Sequence, residues 1–278
     1  MIFSKVFEHF VSKWVLADIT NNIDMYQYGN LKGSSTSHYL IKLLDSVLKG
    51  LEKPQNVAVI TLLDFRKAFD LVDHGIAIRE LFNLGCRNSL IPLKCSFLTG
   101  RKHQVLYGES ASEFQDISCG VPQGTKLGPL IFLCLVNSVA KDEPIHVKYV
   151  DDVAFAELVN AGNVIVFKTQ SSLDKTSNQC INVLITTNPL KCEILIVCPV
   201  KRPIVFPNFD INGVHLPLVS EVKLLGVKIN SSLNWNSHID HILKKARKCF
   251  FILYRARQFR FSPVTMFTLY TWFIRTSL

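Results

Sequence analysis

The stretch His146-Val147-Lys148-Tyr149-Val150-Asp151-Asp152-Val153-Ala154-Phe155-Ala156 decides how this chain is read. His146 to Val150 and Val153 to Ala156 are short and rich in β-branched, aromatic and small apolar residues, so each predicts a strand. Only Asp151 and Asp152 lie between them. The expected structure is a β-hairpin with two carboxylates at its tip. Adjacent carboxylates repel, and a tight turn would accept Asn or Gly at less cost. Asp also favours turns for its own sake, so the pair taken alone fits ordinary turn chemistry.

A third carboxylate changes that balance. Val57 to Leu63 is an apolar run that reads as a buried strand, and it ends on Asp64. If Asp64 comes beside the hairpin, three carboxylates converge and divalent cations remove their repulsion. Hard oxygen ligands of this kind suit Mg²⁺. Two such ions clamp the attacking and leaving oxygens of a phosphoryl transfer. Spacing by itself leaves the convergence open.

Working outward, Ser34 to Leu51 predicts a helix with Leu40, Leu43, Leu44, Val47 and Leu48 on one face. Ile76 to Leu84 predicts another, stopped by Gly85. Pro122, Gly124, Gly128 and Pro129 punctuate a turn before the apolar run from Leu130. Ile194 to Cys198 and Val222 to Ile229 are further strand candidates. From His238 to Tyr254 the period is helical, with a stripe of Ile239, Ile242, Leu243, Ala246, Phe250 and Leu253. Lys244, Lys245, Lys248 and Arg255 lie mostly off that stripe, as a solvated face or as phosphate contacts.

Composition narrows the class. With 48% hydrophobic and 19% charged residues in 278, the chain is not a disordered tail. Its longest apolar run, Leu127 to Ala140, contains Gly128, Pro129 and Asn137 and is shorter than the ~20 residues of a spanning helix. Lys5, Glu8, His9 and Lys13 break up the N-terminus, which does not read as a secretion signal. The expectation is a soluble, intracellular protein with no membrane partner. A net charge of +9 points to a polyanionic partner, nucleic acid or an anionic membrane surface. The eight cysteines include no C-x-x-C pair; Cys134 and Cys198 sit in apolar contexts, and buried free thiols are expected. His238 and His241 have only Asp240 beside them and read as ordinary histidines.

The hairpin is also recognisable. Tyr149-Val150-Asp151-Asp152 resembles the Tyr-x-Asp-Asp box of reverse transcriptases, and the other boxes of that family follow in order. Leu63-Asp64-Phe65-Arg66-Lys67-Ala68-Phe69-Asp70 resembles the first catalytic box. Gly120-Val121-Pro122-Gln123-Gly124, continuing through Leu127-Gly128-Pro129, resembles the second. Asn188-Pro189-Leu190-Lys191-Cys192-Glu193 resembles the fourth and Lys223-Leu224-Leu225-Gly226-Val227 the fifth. Gln27-Tyr28-Gly29 and Gly33-Ser34-Ser35-Thr36 look like a degenerate fingers motif. Phe97-Leu98, Arg101 to Val105, Trp235, His238 and Ile239 also fit. The boxes run from Gln27 to Ile239, and their wording is similar to LINE-like, non-LTR retrotransposon polymerases.

The resemblance implies roles by position. Asp64, Asp151, Asp152 and the backbone carbonyl of Phe65 would hold two Mg²⁺ ions, with Mn²⁺ a possible substitute. Phe69 stands where the family has an aromatic gate against a ribose 2′-OH, although core packing alone would also explain it. Gln123 and Gly124 would meet the incoming nucleotide and the template base, with Tyr149 beside them. Lys191 would stand near the triphosphate as a proton donor. Leu225-Gly226 would position the primer end. Independently of the resemblance, Lys32, Arg101 and the helix-face lysines Lys244, Lys245 and Lys248 are the candidates for nucleic-acid contact. The implied partners are an RNA template, a DNA primer and deoxynucleoside triphosphates.

The implied fold is α/β (α+β), a right-hand polymerase palm with an antiparallel sheet, partial fingers and a truncated thumb. Residues 1–55 would be fingers, 56–74 palm, 75–119 a fingers insertion, 120–234 palm, and 235–278 the start of the thumb. Departures are Asn30, Leu31 and Ser34 at places where the family has Phe-Arg and Arg, and Gln179 where Trp is common. The chain reads as a fragment lacking the endonuclease and C-terminal segments of such elements. The rival readings are a catalytically silent relic that binds nucleic acid and a metal-dependent nuclease. The nuclease leaves the Gly-Val-Pro-Gln-Gly turn unexplained.

Overall fold

All eight residues of Asn56–Leu63 are buried, because the strand they form has protein on both faces. The computed structural model describes residues 2–162, 165–201 and 203–277. In chain order the elements are α1 (Ile2–Ile19), α2 (Thr36–Leu51), β1 (Asn56–Leu63), α3 (His74–Asn83) and α4 (Ile91–Leu98). Four short strands follow, β2 (Lys102–His103), β3 (Leu106–Tyr107), β4 (Ser110–Ala111) and β5 (Gln115–Asp116). Then come α5 (Leu127–Leu135), β6 (His146–Tyr149), β7 (Asp152–Asn160), α6 (Thr169–Asn182) and β8 (Glu193–Val197). β9 (Asp210–Ile211), β10 (Val214–His215), β11 (Leu218–Val219), β12 (Glu221–Leu224), β13 (Val227–Asn230), α7 (Asn236–Gln258) and α8 (Pro263–Leu269) complete the chain.

These elements form two compact units, Met1–Val219 and Ser220–Leu278. The first is organised around a five-stranded sheet of order β11-β8-β1-β7-β6. Its pairs are antiparallel except β11 with β8. Opposite residues share a face, so Ala58, Ile60 and Leu62 lie with Leu158, Ala156 and Ala154. That face is covered by α2, whose Gly50 comes so near Leu158 that a Cβ would lie 2.2 Å from its side chain. The other face carries Val59, Leu63, Phe155 and Val153 into the main core, with residues of α1, α3, α4, α5 and α6. Transfer of this apolar surface from water is the main source of the unit's stability.

The segments expected from the sequence to be helix or strand form such elements, with corrections at some. Helix α2 starts at Thr36, with Ser35 as N-cap, but its buried face is Tyr39, Leu43, Val47 and Gly50; Leu48 is half exposed. Val222 to Ile229 is two strands, not one, joined by a two-residue turn. Leu225 and Gly226 both have positive φ there, the backbone of a type I′ hairpin. The stripe expected on α7 is largely exposed within its unit: only Ala246 and Ala256 are buried. All eight cysteines are free; Cys134 is buried, and Cys198 is only half-buried. Gln179, in place of the family's Trp, accepts from the Ala140 N–H at 2.8 Å and donates to Asp142 at 2.9 Å. Among the described residues, no helix is long and apolar enough to cross a membrane.

Candidate active site

The antiparallel register of β1 and β7 ends on the pair Leu63 and Val153. The residues one step beyond that pair are Asp64 and Asp152. Backbone pairing thus brings a carboxylate from each strand to one end of the sheet, with Asp151 preceding the second. The hairpin differs from expectation by one residue. Tyr149 pairs with Asp152, so the two-residue turn is Val150-Asp151 and Asp152 opens β7. Val150 has φ 60°. A hairpin turn of this length favours glycine at that position, and a β-branched residue there is strained by roughly 1–3 kcal/mol.

The surroundings hold the strained turn. Residues 24–29 run along the outer edge of β6: Lys148 N–H donates to Tyr26 O at 2.9 Å and Tyr28 N–H to Lys148 O at 2.8 Å. The Gln27 side-chain oxygen accepts from Gly29 N–H at 2.8 Å and from Val150 N–H at 3.3 Å. Gly29 is required by close approach, since a Cβ there would lie 2.5 Å from a Val150 methyl and 2.6 Å from its nitrogen. Behind the turn, Asp24 meets Lys148 at 2.7 Å and His146 at 2.8 Å. Lys148 also donates to Asn137 O at 2.7 Å. All four residues are buried. Burial raises the Asp24 carboxyl, but His146 and Lys148 overcome it and hold the group well below its usual range. Burial lowers Lys148 to about 8 despite Asp24 beside it.

Asp64 is fixed by the segment Asn188–Lys191. Asn188 donates its backbone N–H to Asp64 O at 2.8 Å and its side-chain amide to the Asp64 carboxylate at 3.1 Å. Phe65 bridges Thr187, and the Asp64 N–H points at the Cys192 sulfur at 3.3 Å. Burial pushes the Cys192 thiol up to about 11, so it stays a neutral packing group. Lys191 is exposed on that loop.

Phe69 is half-buried, its ring 4.9 Å from Phe132, which also supports Phe65 at 6.4 Å. The Phe69 carbonyl accepts from Val121 N–H at 2.9 Å, which ties the first box to the glycine-proline turn. Gln123 is exposed and donates to Asp70 at 3.2 Å. Gly120 and Gly124 have positive φ, and a Cβ on Gly120 would sit 2.6 Å from Asp70 O. Arg101 points at Gly120 O at 3.5 Å, and His74 lies 2.8 Å from the same oxygen. Tyr149 is half-buried at the end of β6, and Lys32 is exposed in the loop before α2. Leu225 and Gly226 form the β12–β13 turn, and Lys244, Lys245 and Lys248 are exposed on α7, both in the second unit.

The electrostatics of the three carboxylates fit a cation. Asp151 and Asp152 are open to solvent at one side, yet partial burial raises both. The negative charge of Asp64 adds to the shift of each, and that of Asp151 adds to Asp152, which reaches about 6. The destabilisation of the charged forms of Asp151 and Asp152 is relieved by a divalent cation, and carboxylate oxygens are suitable ligands. Among the described residues, no three His, Cys, Asp or Glu side chains already stand close enough to hold a metal. The register brings Asp64 and Asp152 to one end of the sheet without closing the carboxylates into a shell. No motif marks Tyr39 in the sequence, and Gln27 is marked there only as part of the fingers motif. The Tyr39 ring lies near enough to Asp152 to feel its charge, and its buried hydroxyl has no partner among the described residues.

Residues 1–229 match the family described as Reverse transcriptase (RNA-dependent DNA polymerase). The chain is 28% identical over 252 residues to the RNA-directed DNA polymerase from mobile element jockey of Drosophila funebris, covering 86% of this chain and 27% of that protein. It is 26% identical over 239 residues to the probable RNA-directed DNA polymerase from transposon BS of Drosophila melanogaster, covering 81% of this chain and 25% of that protein. The chain therefore spans about a quarter of the length of these curated relatives. Telomerase from Candida tropicalis, solved with the TWJ fragment of telomeric RNA, shares the fold with a TM-score of 0.56 and 13% identity, over 82% of this chain and 37% of that one.

Proposed function

The chain belongs to the reverse transcriptase family, and we propose that it is the polymerase part of such an enzyme, adding deoxynucleotides to a primer 3′-OH on an RNA template. The observation that carries this reading is the β1–β7 register, which continues to Asp64 and Asp152 at one end of the sheet. Asp64, Asp151, Asp152 and the Phe65 carbonyl would hold two Mg²⁺ or Mn²⁺ ions. When bound, these supply charge neutralisation for the attacking hydroxyl and the leaving pyrophosphate.

The remaining roles belong to side chains of the chain itself. The Phe69 ring, braced on Phe132, excludes a 2′-OH. Gln123 and Gly124, on a turn tied to Asp70, take the nucleotide and the template base, with Tyr149 at the hairpin. Lys191, on the loop that grips Asp64, donates a proton to pyrophosphate. Leu225 and Gly226 take the primer strand. Lys32, Arg101, Lys244, Lys245 and Lys248 bind phosphates. In this reading residues 1–55 and 75–119 act as fingers, 56–74 and 120–234 as palm, and 235–278 as the start of a thumb, in an intracellular protein.

Primer extension on an RNA template with Mg²⁺ or Mn²⁺ tests the proposal. Lengthened primers are expected. Shortened nucleic acid would favour a nuclease, and binding without extension a silent relic. In an active protein, Phe69→Ala should raise ribonucleotide incorporation relative to deoxynucleotide. An unchanged ratio would leave Phe69 as core packing alone.

A further inference from the structure

The turn that carries Gln123 and Gly124 continues into Lys126 and the start of α5, and α1 packs against that start. Between them lies a cleft of about 460 Å³. Lys13 and His9 come to it from α1, Lys32 from the loop before α2, and Lys126 from the turn. Leu16 and Leu130 provide apolar lining. The cations thus come from three segments well separated in sequence, and none of the lining residues is acidic. None of the three lysines is ion-paired with a described carboxylate.

The nearby acid is already engaged. Glu8 accepts the backbone N–H groups of Lys126 and Leu127 at 2.5 and 2.9 Å, and so caps the start of α5. That contact fixes the Lys126 backbone. Thr125 adds to it, donating to Pro122 O at 2.6 Å and accepting from Gly128 N–H at 3.2 Å. The Lys126 ammonium lies 2.7 Å from His9 Nδ1. The charge of Lys126, then slight burial, then Lys13 lower the pKa of His9. A histidine whose proton affinity is lowered by two lysines lies in their positive field, and no carboxylate pairs with either lysine among the described residues.

We propose that this cleft binds the phosphates of a nucleic-acid strand passing the Gln123-Gly124 turn, which makes α1 a nucleic-acid-binding element. The inference rests on the polymerase reading for the identity of the strand. The triphosphate tail of a nucleotide has the same chemistry and is separated from the strand by experiment.

Anisotropy of a labelled single-stranded RNA is compared for the wild type, Lys13→Gln/Lys126→Gln, and the charge-matched control Lys53→Gln/Lys175→Gln, over a range of salt. The cleft variant should lose about tenfold in affinity near 0.1 M salt, and its log–log salt slope should fall by about 0.7 for each lost contact. The control should stay within about twofold. Lys13→Ala alone, which removes an exposed side chain, should show a smaller loss in the same direction, and melting curves verify folding of every variant. Equal losses in cleft and control variants, or none in either, would overturn the proposal. Unchanged RNA affinity, with weakened competition by inorganic tripolyphosphate, would assign the cleft to a nucleotide tail and likewise overturn the strand. A wild type that binds no nucleic acid would remove the polymerase reading as well. A wild type that extends primers while the cleft variant binds RNA normally would remove the cleft alone.

Discussion

The units Met1–Val219 and Ser220–Leu278 place their proposed functional groups in different ways. In the first, Asp64 follows the fully buried strand β1 and Asp152 opens the largely buried β7, and hydrogen bonds hold Asp64 and the Val150 that precedes Asp151. In the second, the long helix α7 buries only Ala246 and Ala256, while Lys244, Lys245, Lys248, Phe250, Phe251 and Tyr254 are exposed. The first unit supplies geometry, which is lost abruptly. The second would supply charge, which is lost by degrees. Substitutions should separate the two behaviours.

The largest effect on stability is expected at Asp24→Ala. It leaves Lys148, which is 0% exposed, without its counter-charge. Breaking a buried pair from one side costs about 3–5 kcal/mol. Urea unfolding should report that loss, and a loss below ~1 kcal/mol would mean that the buried network does not support the hairpin. Gly29→Ala comes next. Its methyl would press on the Val150 backbone, and a cost of about 1–3 kcal/mol is expected. Extension should suffer more than stability, because the displaced residue is Val150, which precedes Asp151 in the turn.

The carboxylates themselves give a pH signature. The folded-state pKa of Asp152 is raised from 3.8 to about 6. Between those values the native state holds a proton that the unfolded chain has released, so this group makes stability fall as pH rises. Asp152→Asn should flatten that dependence. Mg²⁺ should raise the melting temperature of the wild type at pH 7, by relieving the repulsion, and should have little effect well below pH 4. A cation effect of equal size in Asp152→Asn would place the ion elsewhere. The smallest effect belongs to the second unit. Neutralising Lys244, Lys245 and Lys248 together should leave melting nearly unchanged, weaken RNA binding and reduce the salt slope. An unchanged slope would make α7 a solvated face.

The same contrast decides what the sequence could tell. Strand β1 and its terminal Asp64 were legible because a continuous apolar run needs burial on both sides. The order of the boxes pointed to the fold, which the telomerase structure shares. The exact turn was not legible. Local chemistry favours Asp151-Asp152 at the tip, whereas Gln27 and Gly29, more than a hundred residues away, hold Val150 in it. Helix α6 was missed because its buried positions include Thr169, Ser172 and Thr176, which leave no apolar stripe. Helix α1 was missed because exposed Phe3, Phe7, Phe10 and Trp14 blur the stripe of buried Val11, Val15 and Ile19. The Asp24–Lys148 contact joins residues with no local signal for one another.

In the proposed enzyme Asp64, Asp151 and Asp152 act together as the ligands of a polymerising centre. Extension of a DNA primer on an RNA template by the wild type and by Asp152→Asn, with affinity and melting temperature measured on the same two proteins, tests it most directly. The substitution preserves size and removes one charge from the cation site. Primer–template affinity and folding should persist, because phosphate contacts dominate binding and melting does not require the cation. Extension should fall by at least about a hundredfold, since charge stabilisation at the reacting phosphate is lost. Undiminished extension by a folded Asp152→Asn protein would mean that this carboxylate is not a catalytic ligand.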